Sequence, residues 1–149
     1  MKVLVCGATG FIGRNIVEHL SKCSDIELVG IFNRRNAYEL PNLKWIKADL
    51  TVTTDINNIL DDIDIVIQAA ATTSGSKDIV SRPYIHVTDN VVMNSLLFRA
   101  IFESNVKHVI FFSCTVMLQS SNTPLTEEDY DANIELNKNY FGSGHTKLY

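Results

Sequence analysis

The chain has 149 residues, 46% of them hydrophobic and 20% charged, with 13 Lys+Arg against 17 Asp+Glu for a net charge of −4. That length and apolar content exclude a disordered segment or a mini-protein scaffold, and they fit one compact domain that buries roughly 70% of its unfolded surface. The mixed-sign balance offers no basic stripe for a phosphate backbone, so nucleic acid is not an expected partner.

Val3–Cys6 is an apolar run short enough for a buried strand, and a glycine-rich stretch follows it directly. Phe11, Ile12, Ile16, Val17 and Leu20 then recur at helical spacing and place one apolar stripe against a sheet. A second strand is predicted at Leu28–Phe32; the interval after it is shorter and less regular, and Trp45-Ile46 marks a third. Thr53-Thr54-Asp55 predicts a helix start whose side-chain oxygens cap free amides, with Ile56, Ile59 and Leu60 inward. Ile63–Ile67 is the fourth strand. A long helix is expected from Pro83 to Ser104, with Val87, Val91, Leu97, Ala100 and Ile101 inward, and Val109–Phe112 is the fifth strand.

Strands alternating with helices imply right-handed crossovers, hence an α/β domain with a doubly wound, Rossmann-like parallel sheet of about five strands. Ser113 to Asn139 is polar, contains Pro124 and shows no period. A loop that long is expected to be functional or mobile, and it follows a strand end, where such sheets bind ligands.

Gly7-Ala8-Thr9-Gly10-Phe11-Ile12-Gly13 leaves a strand and opens an amphipathic helix. Glycines let the backbone turn tightly and approach a pyrophosphate, while the helix start presents unpaired amides and a positive dipole end. Read with the strand before, the helix after and the second strand about twenty residues on, Gly7, Thr9, Gly10, Phe11, Ile12 and Gly13 predict dinucleotide binding. A glycine-bearing turn without a ligand is the plainer alternative.

The second strand ends in Asn33-Arg34-Arg35, so no carboxylate stands where one would bind the adenosine ribose hydroxyls. The two arginines favour a 2′-phosphate, and therefore NADP over NAD, although both also read as ordinary solvated charges. Arg14, in the first helical turn, is a further candidate for that phosphate. Asp49, before Leu50, reads equally as an acceptor for an adenine amino group or as the cap of a local turn. After the fourth strand, Ala69, Ala70 and Ala71 are small enough for the backbone to lie beside a cofactor.

These motifs, with Asn90 in the long helix and Val109-Ile110-Phe111-Phe112-Ser113, follow the order and spacing of the extended short-chain dehydrogenase/reductases. The chain resembles the N-terminal half of that NAD-dependent epimerase/dehydratase group over nearly all its length. Thr123–Glu128 also resembles the loop before the family's catalytic helix. The resemblance implies a nicotinamide dinucleotide, a nucleotide-activated sugar as substrate of the full-length protein, and a Ser/Thr, Tyr and Lys set for proton transfer. A phenol near pKa 10 needs a neighbouring cation to reach its phenolate near neutral pH, which the Lys and the oxidised nicotinamide supply.

By that resemblance Asn90 is a cofactor contact, Ser113 takes the hydroxyl position, with Thr115 second, and Lys147 takes the lysine position, where a role in binding ribose hydroxyls and an ordinary solvated helix lysine are equal alternatives. Ser143 stands four residues before Lys147 where the family has Tyr, and serine has no accessible anion near neutral pH. Tyr140 is the nearest phenol, seven residues or about 10 Å before Lys147 on a continuous helix. A helix starting near Ser143 is expected to fray at the end of this sequence, which reads as truncated before the family's substrate region.

Cys6, Cys23 and Cys114 form no C-x-x-C pair and read as reduced thiols of a cytoplasmic protein. No stretch has the length of a signal peptide's or a membrane span's apolar core. His19, His86, His108 and His145 lack metal-ligand spacing and are expected at the surface or at helix ends, while Trp45 and the phenylalanines are expected in the core.

Three readings follow: the NAD(P)-binding part of a sugar-nucleotide epimerase, dehydratase or reductase, weak or inactive alone; a non-catalytic NAD(P)-binding regulator; or an interaction subunit without ligand. Leftover apolar surface is a candidate homodimer contact.

Overall fold

The computed structural model of the chain describes residues 1–73, 75–82, 84–133 and 135–148. It divides into two compact units, Met1–Ala71 with Met93–Phe112, and Thr72–Val92 with Ser113–Tyr149. The first unit carries five strands, β1 (Lys2–Cys6), β2 (Glu27–Phe32), β3 (Leu43–Lys47), β4 (Ile65–Gln68) and β5 (His108–Phe111), all parallel in the order β3-β2-β1-β4-β5. This is the Rossmann-like sheet that strand–helix alternation predicts.

The helices are α1 (Phe11–Leu20), α2 (Thr53–Ile59), α3 (Ser76–Ser81), α4 (Tyr84–Phe102) and α5 (Phe141–Leu148). Central β1 shows why both faces are covered. Its side chains alternate, Val3 and Val5 joining Val17 of α1 on one face, Leu4 and Cys6 joining Ile56 and Ile59 of α2 and Leu97 and Ile101 of α4 on the other. The chain steps outward from β1 to β2 and β3, then crosses back to β4 on the opposite side. That reversal parts the loops at the carboxyl ends of β1 and β4, where open sheets of this kind take ligands.

Several local expectations change. The cap of α2 is Val52, without a side-chain bond, and the Asp55 carboxylate instead accepts from the Asp49 amide at 2.9 Å. The connection from β2 to β3 contains no helix. The predicted helix start at Pro83 lies outside the described residues; α4 begins at Tyr84, and its Val87, Val91 and Ala100 are only half-buried while Met93 and Asn94 are buried. The predicted loop holds two 3-10 turns, at Thr115–Met117 and Glu127–Asp129, the second closed by a Thr126–Asp129 capping box. α3 gave no recognisable period, being six residues long, and α5 starts two residues before Ser143.

Not every phenylalanine is core. Phe11 lies about 200° around α1 from sheet-facing Gly13 and is 85% exposed, and Phe102, off the Leu97–Ile101 stripe, is 90% exposed. His86, expected at the surface or a helix end, is buried. No described helix is long and apolar enough to cross a membrane.

Candidate functional site

In the first unit, β1 delivers the chain to Gly7, which adopts φ +70°, in the left-handed region. A Cβ at Gly7 would stand 2.7 Å from Ala70 Cα, and one at Gly13 would run into the Gly7 carbonyl. The turn after β1, the start of α1 and the segment after β4 are therefore in backbone contact. Glycine is required there by space as well as by torsion. The Gly10 amide donates to Gly7 O at 2.9 Å and the Arg14 amide to Gly10 O at 2.8 Å. The amides of Phe11, Ile12 and Gly13 consequently have no acceptor within the helix. The first turn of α1 holds no acidic residue and no side-chain cap. A concave backbone, three donors and a positive dipole end fit a diphosphate, and a β-carbon at either tight glycine would fill the cradle. Thr9 is half-buried within the same turn.

Asn33, Arg34 and Arg35 are exposed just beyond β2. Asp49 Oδ1 accepts from the Thr51 amide at 2.9 Å and the Thr51 hydroxyl at 2.7 Å, which closes a local turn. Those bonds from Thr51 hold the carboxyl below its ordinary range against the opposing effect of burial, and the Asn33 amide and the Arg34 charge add to them. The link from Asn33 to Asp49, from one strand end to the next, has no counterpart in spacing along the chain. Leu50 is buried in the core. Arg14 is already engaged: its Nε donates to Glu18 Oε1 at 2.6 Å, and its guanidinium lies 4.6 Å from the Tyr38 ring centroid. The charge offered for a phosphate thus has an internal counter-ion.

Beyond β4, the Ala69 amide donates to Cys6 O at 3.2 Å and the Ala70 amide to Gln68 Oε1 at 3.2 Å, while Ala71 is exposed. Gln68 is 1% exposed and its Nε2 donates to Asn94 Oδ1 at 2.9 Å. Sequence reasoning passed over this buried pair. Its signal was a glutamine closing an otherwise apolar strand.

In the second unit, Asn90 spends its amide on the chain itself. Its Oδ1 accepts from the Thr72 amide at 2.9 Å, and its Nδ2 donates to Thr72 O at 2.9 Å and His86 O at 2.5 Å. It braces the segment at Thr72 on α4. Ser113 is exposed and its hydroxyl donates to Met117 Sδ. Cys114 precedes the 3-10 turn Thr115–Met117, Thr115 being exposed, and α5 packs on that turn so closely that a Cβ at Gly144 would stand 2.8 Å from Val116 O. Tyr140 O accepts from the Gly144 amide at 2.8 Å, which makes Tyr140 the residue that opens α5. The helix runs unbroken to Leu148, so the two-turn separation of Tyr140 from Lys147 is kept. Ser143 and Lys147 share one face of α5. Lys147 is half-buried; burial holds its amine below the ordinary range, and the Cys114 thiol acts in the opposite direction.

The profile of the NAD dependent epimerase/dehydratase family matches residues 3–146. A UDP-glucose 4-epimerase of Lactobacillus helveticus is 31% identical over 133 residues, covering 86% of this chain and 40% of the relative. The chain thus spans about 40% of the length of the curated relatives it matches. Among solved structures, UDP-glucose 4-epimerase from Bifidobacterium longum with NAD+ and UDP superposes at TM-score 0.79 and 22% identity, over 99% of this chain and 46% of that one. GDP-mannoheptose C4 reductase from Campylobacter jejuni with NADP does so at TM-score 0.77 and 21% identity, over 99% and 40%. With the family's profile along nearly the whole sequence and its sheet order in the fold, the chain belongs to the NAD-dependent epimerase/dehydratase family.

Proposed function

We propose that residues 1–149 are the nicotinamide-nucleotide-binding part of a protein that oxidises, reduces or epimerises a nucleotide-activated sugar. The observation that carries this reading is the Gly7–Gly13 turn, with its left-handed glycine and three uncommitted amides. The amides of Phe11, Ile12 and Gly13 would hold the diphosphate, with Thr9 and Gly10 shaping the turn. Asn33, Arg34 and Arg35 would face the adenosine ribose, Asp49 and Leu50 the adenine, and Ala69–Ala71 would give the dinucleotide a flat backbone wall. Asn90 acts as a brace for the segment beyond. When bound, the nicotinamide accepts or supplies a hydride, and the protein contributes position and field.

Two exposed arginines and no carboxylate at 33 support NADP over NAD, since guanidinium pairs bidentately with a phosphate dianion. Titration with NADP(H) and NAD(H), followed by nicotinamide fluorescence or calorimetry, is expected to show saturation by both and tighter binding of NADP. Saturation by neither removes the nucleotide reading and leaves the interaction subunit.

One observation favours a second reading, a nucleotide-binding module without turnover: Ser143 stands where the family's phenol is expected. Ser113 and Lys147 would then remain as ribose or substrate contacts.

A further inference from the structure

Gln68 ends β4, where its backbone is paired with Cys6 on one side and Phe111 on the other. Two residues on, Ala70 has left the ladder, so its amide needs an acceptor from elsewhere. The Gln68 side chain supplies it: Oε1 accepts from the Ala70 amide at 3.2 Å, while Nε2 donates to Asn94 Oδ1 of α4 at 2.9 Å. The second bond fixes which end of the Gln68 carboxamide faces Ala70. Both side chains are buried, and burying two carboxamides costs free energy even when they are paired. An apolar pair would fill that space without this cost, so what the carboxamides add is orientation.

The peptide they orient touches the glycine turn. A Cβ at Gly7 would stand 2.7 Å from Ala70 Cα and 2.8 Å from Ala70 N, and the Gly10 amide in turn donates to Gly7 O at 2.9 Å. Gly7, Gln68, Ala70 and Asn94 all belong to the first unit. We propose that Gln68 and Asn94 are positioning residues for the nucleotide: by holding the Ala70 peptide against Gly7, they fix the turn whose Phe11, Ile12 and Gly13 amides receive the diphosphate. The proposal rests on the nucleotide-binding reading above. Without Asn94 as acceptor, the Gln68 carboxamide is free to turn over and present Nε2 to the Ala70 amide, donor against donor. The Ala70 peptide then shifts toward another acceptor, and Gly7, in backbone contact with it, shifts as well. Three amides aimed at one anion bind it less well once misaligned, because hydrogen bonds weaken steeply with angle.

Calorimetric titration with NAD and with NADP, well below each protein's melting midpoint, tests this. Asn94→Leu and Gln68→Met are each expected to weaken both nucleotides about tenfold, the contribution of one charge-assisted hydrogen bond. Asn94→Asp keeps an acceptor for Gln68 Nε2 and is expected to stay within about twofold of the parent. Gln68→Met combined with Asn94→Leu separates positioning from support. Two apolar side chains recover part of the stability, yet the Ala70 amide still lacks its acceptor, so the combined variant is expected to bind as weakly as Gln68→Met alone. It serves equally where a single variant does not fold. Parental affinity in the single variants, affinity that recovers together with stability, or an Asn94→Asp protein as weak as Asn94→Leu overturns the positioning role while leaving nucleotide binding in place. No saturation of the parent protein by either nucleotide is the separate failure: it removes the nucleotide-binding reading, and this proposal with it.

Discussion

Replacing Gly7 by alanine tests the turn that the functional reading depends on. Alanine at φ +70° incurs about 1–2 kcal/mol of left-handed strain. Its β-carbon would also lie 2.7 Å and 2.8 Å from Ala70 Cα and N, both backbone atoms that cannot rotate away. Shifting them away adds about 1–3 kcal/mol, the usual range for overpacking. The sum, about 2–5 kcal/mol, lowers the melting temperature by about 4–20 °C for a chain of this size. Gly10→Ala is the internal control. Gly10 has φ −77°, and its β-carbon would meet only the Gly7 carbonyl, at 3.2 Å. A change within about 1 kcal/mol is expected there. Thermal unfolding followed by circular dichroism without nucleotide measures both. A Gly7→Ala protein melting within about 2 °C of the parent, or a Gly10→Ala protein equally damaged, would refute the geometric argument.

Substituting Arg34 and Arg35 together with alanine should weaken NADP by about tenfold or more while moving NAD little; equal losses in calorimetric titrations contradict the 2′-phosphate assignment. Gln68→Met strands the Asn94 side chain and the Ala70 amide, and should destabilise by about 2–4 kcal/mol in urea unfolding. Adding Asn94→Leu should recover part of that loss, and no recovery would argue against coupling. Asp49 is held below its ordinary range, so its contribution is complete above the unfolded value of about 4 and disappears as pH falls toward the lower folded value. Asp49→Asn should therefore lower stability at neutral pH and flatten the melting profile between about pH 5 and pH 3, whereas parallel profiles would show that the bonds from Thr51 carry no linkage.

Much of the architecture was legible along the chain because its signals are local. Runs such as Val3–Cys6 and Leu28–Phe32 are too apolar and too short for anything but buried strands, and the spacing of Ile16, Val17 and Leu20 specifies a helix face. The glycine run was readable for the same reason, since torsion and helix-end amides belong to consecutive residues. Short elements were not. α3 has six residues and no room for a period, and the cap of α2 passed to Val52 because Asp55 found the Asp49 amide instead.

What only tertiary structure decided is which polar groups are already spoken for. Asn90 enters as a cofactor contact only through the family resemblance, and spacing along the chain does not show the bonds it makes to Thr72 and His86. Arg14 could be nominated for a phosphate, yet Glu18 and Tyr38 hold it. Phe11 could be counted as core, yet its direction around α1 turns it outward. The sequence by itself determined the elements, the order of the motifs and the replacement of a phenol by Ser143. The fold decided the partners, because hydrogen bonds and close approach between residues distant along the chain depend on three-dimensional distance, which no spacing in the sequence encodes.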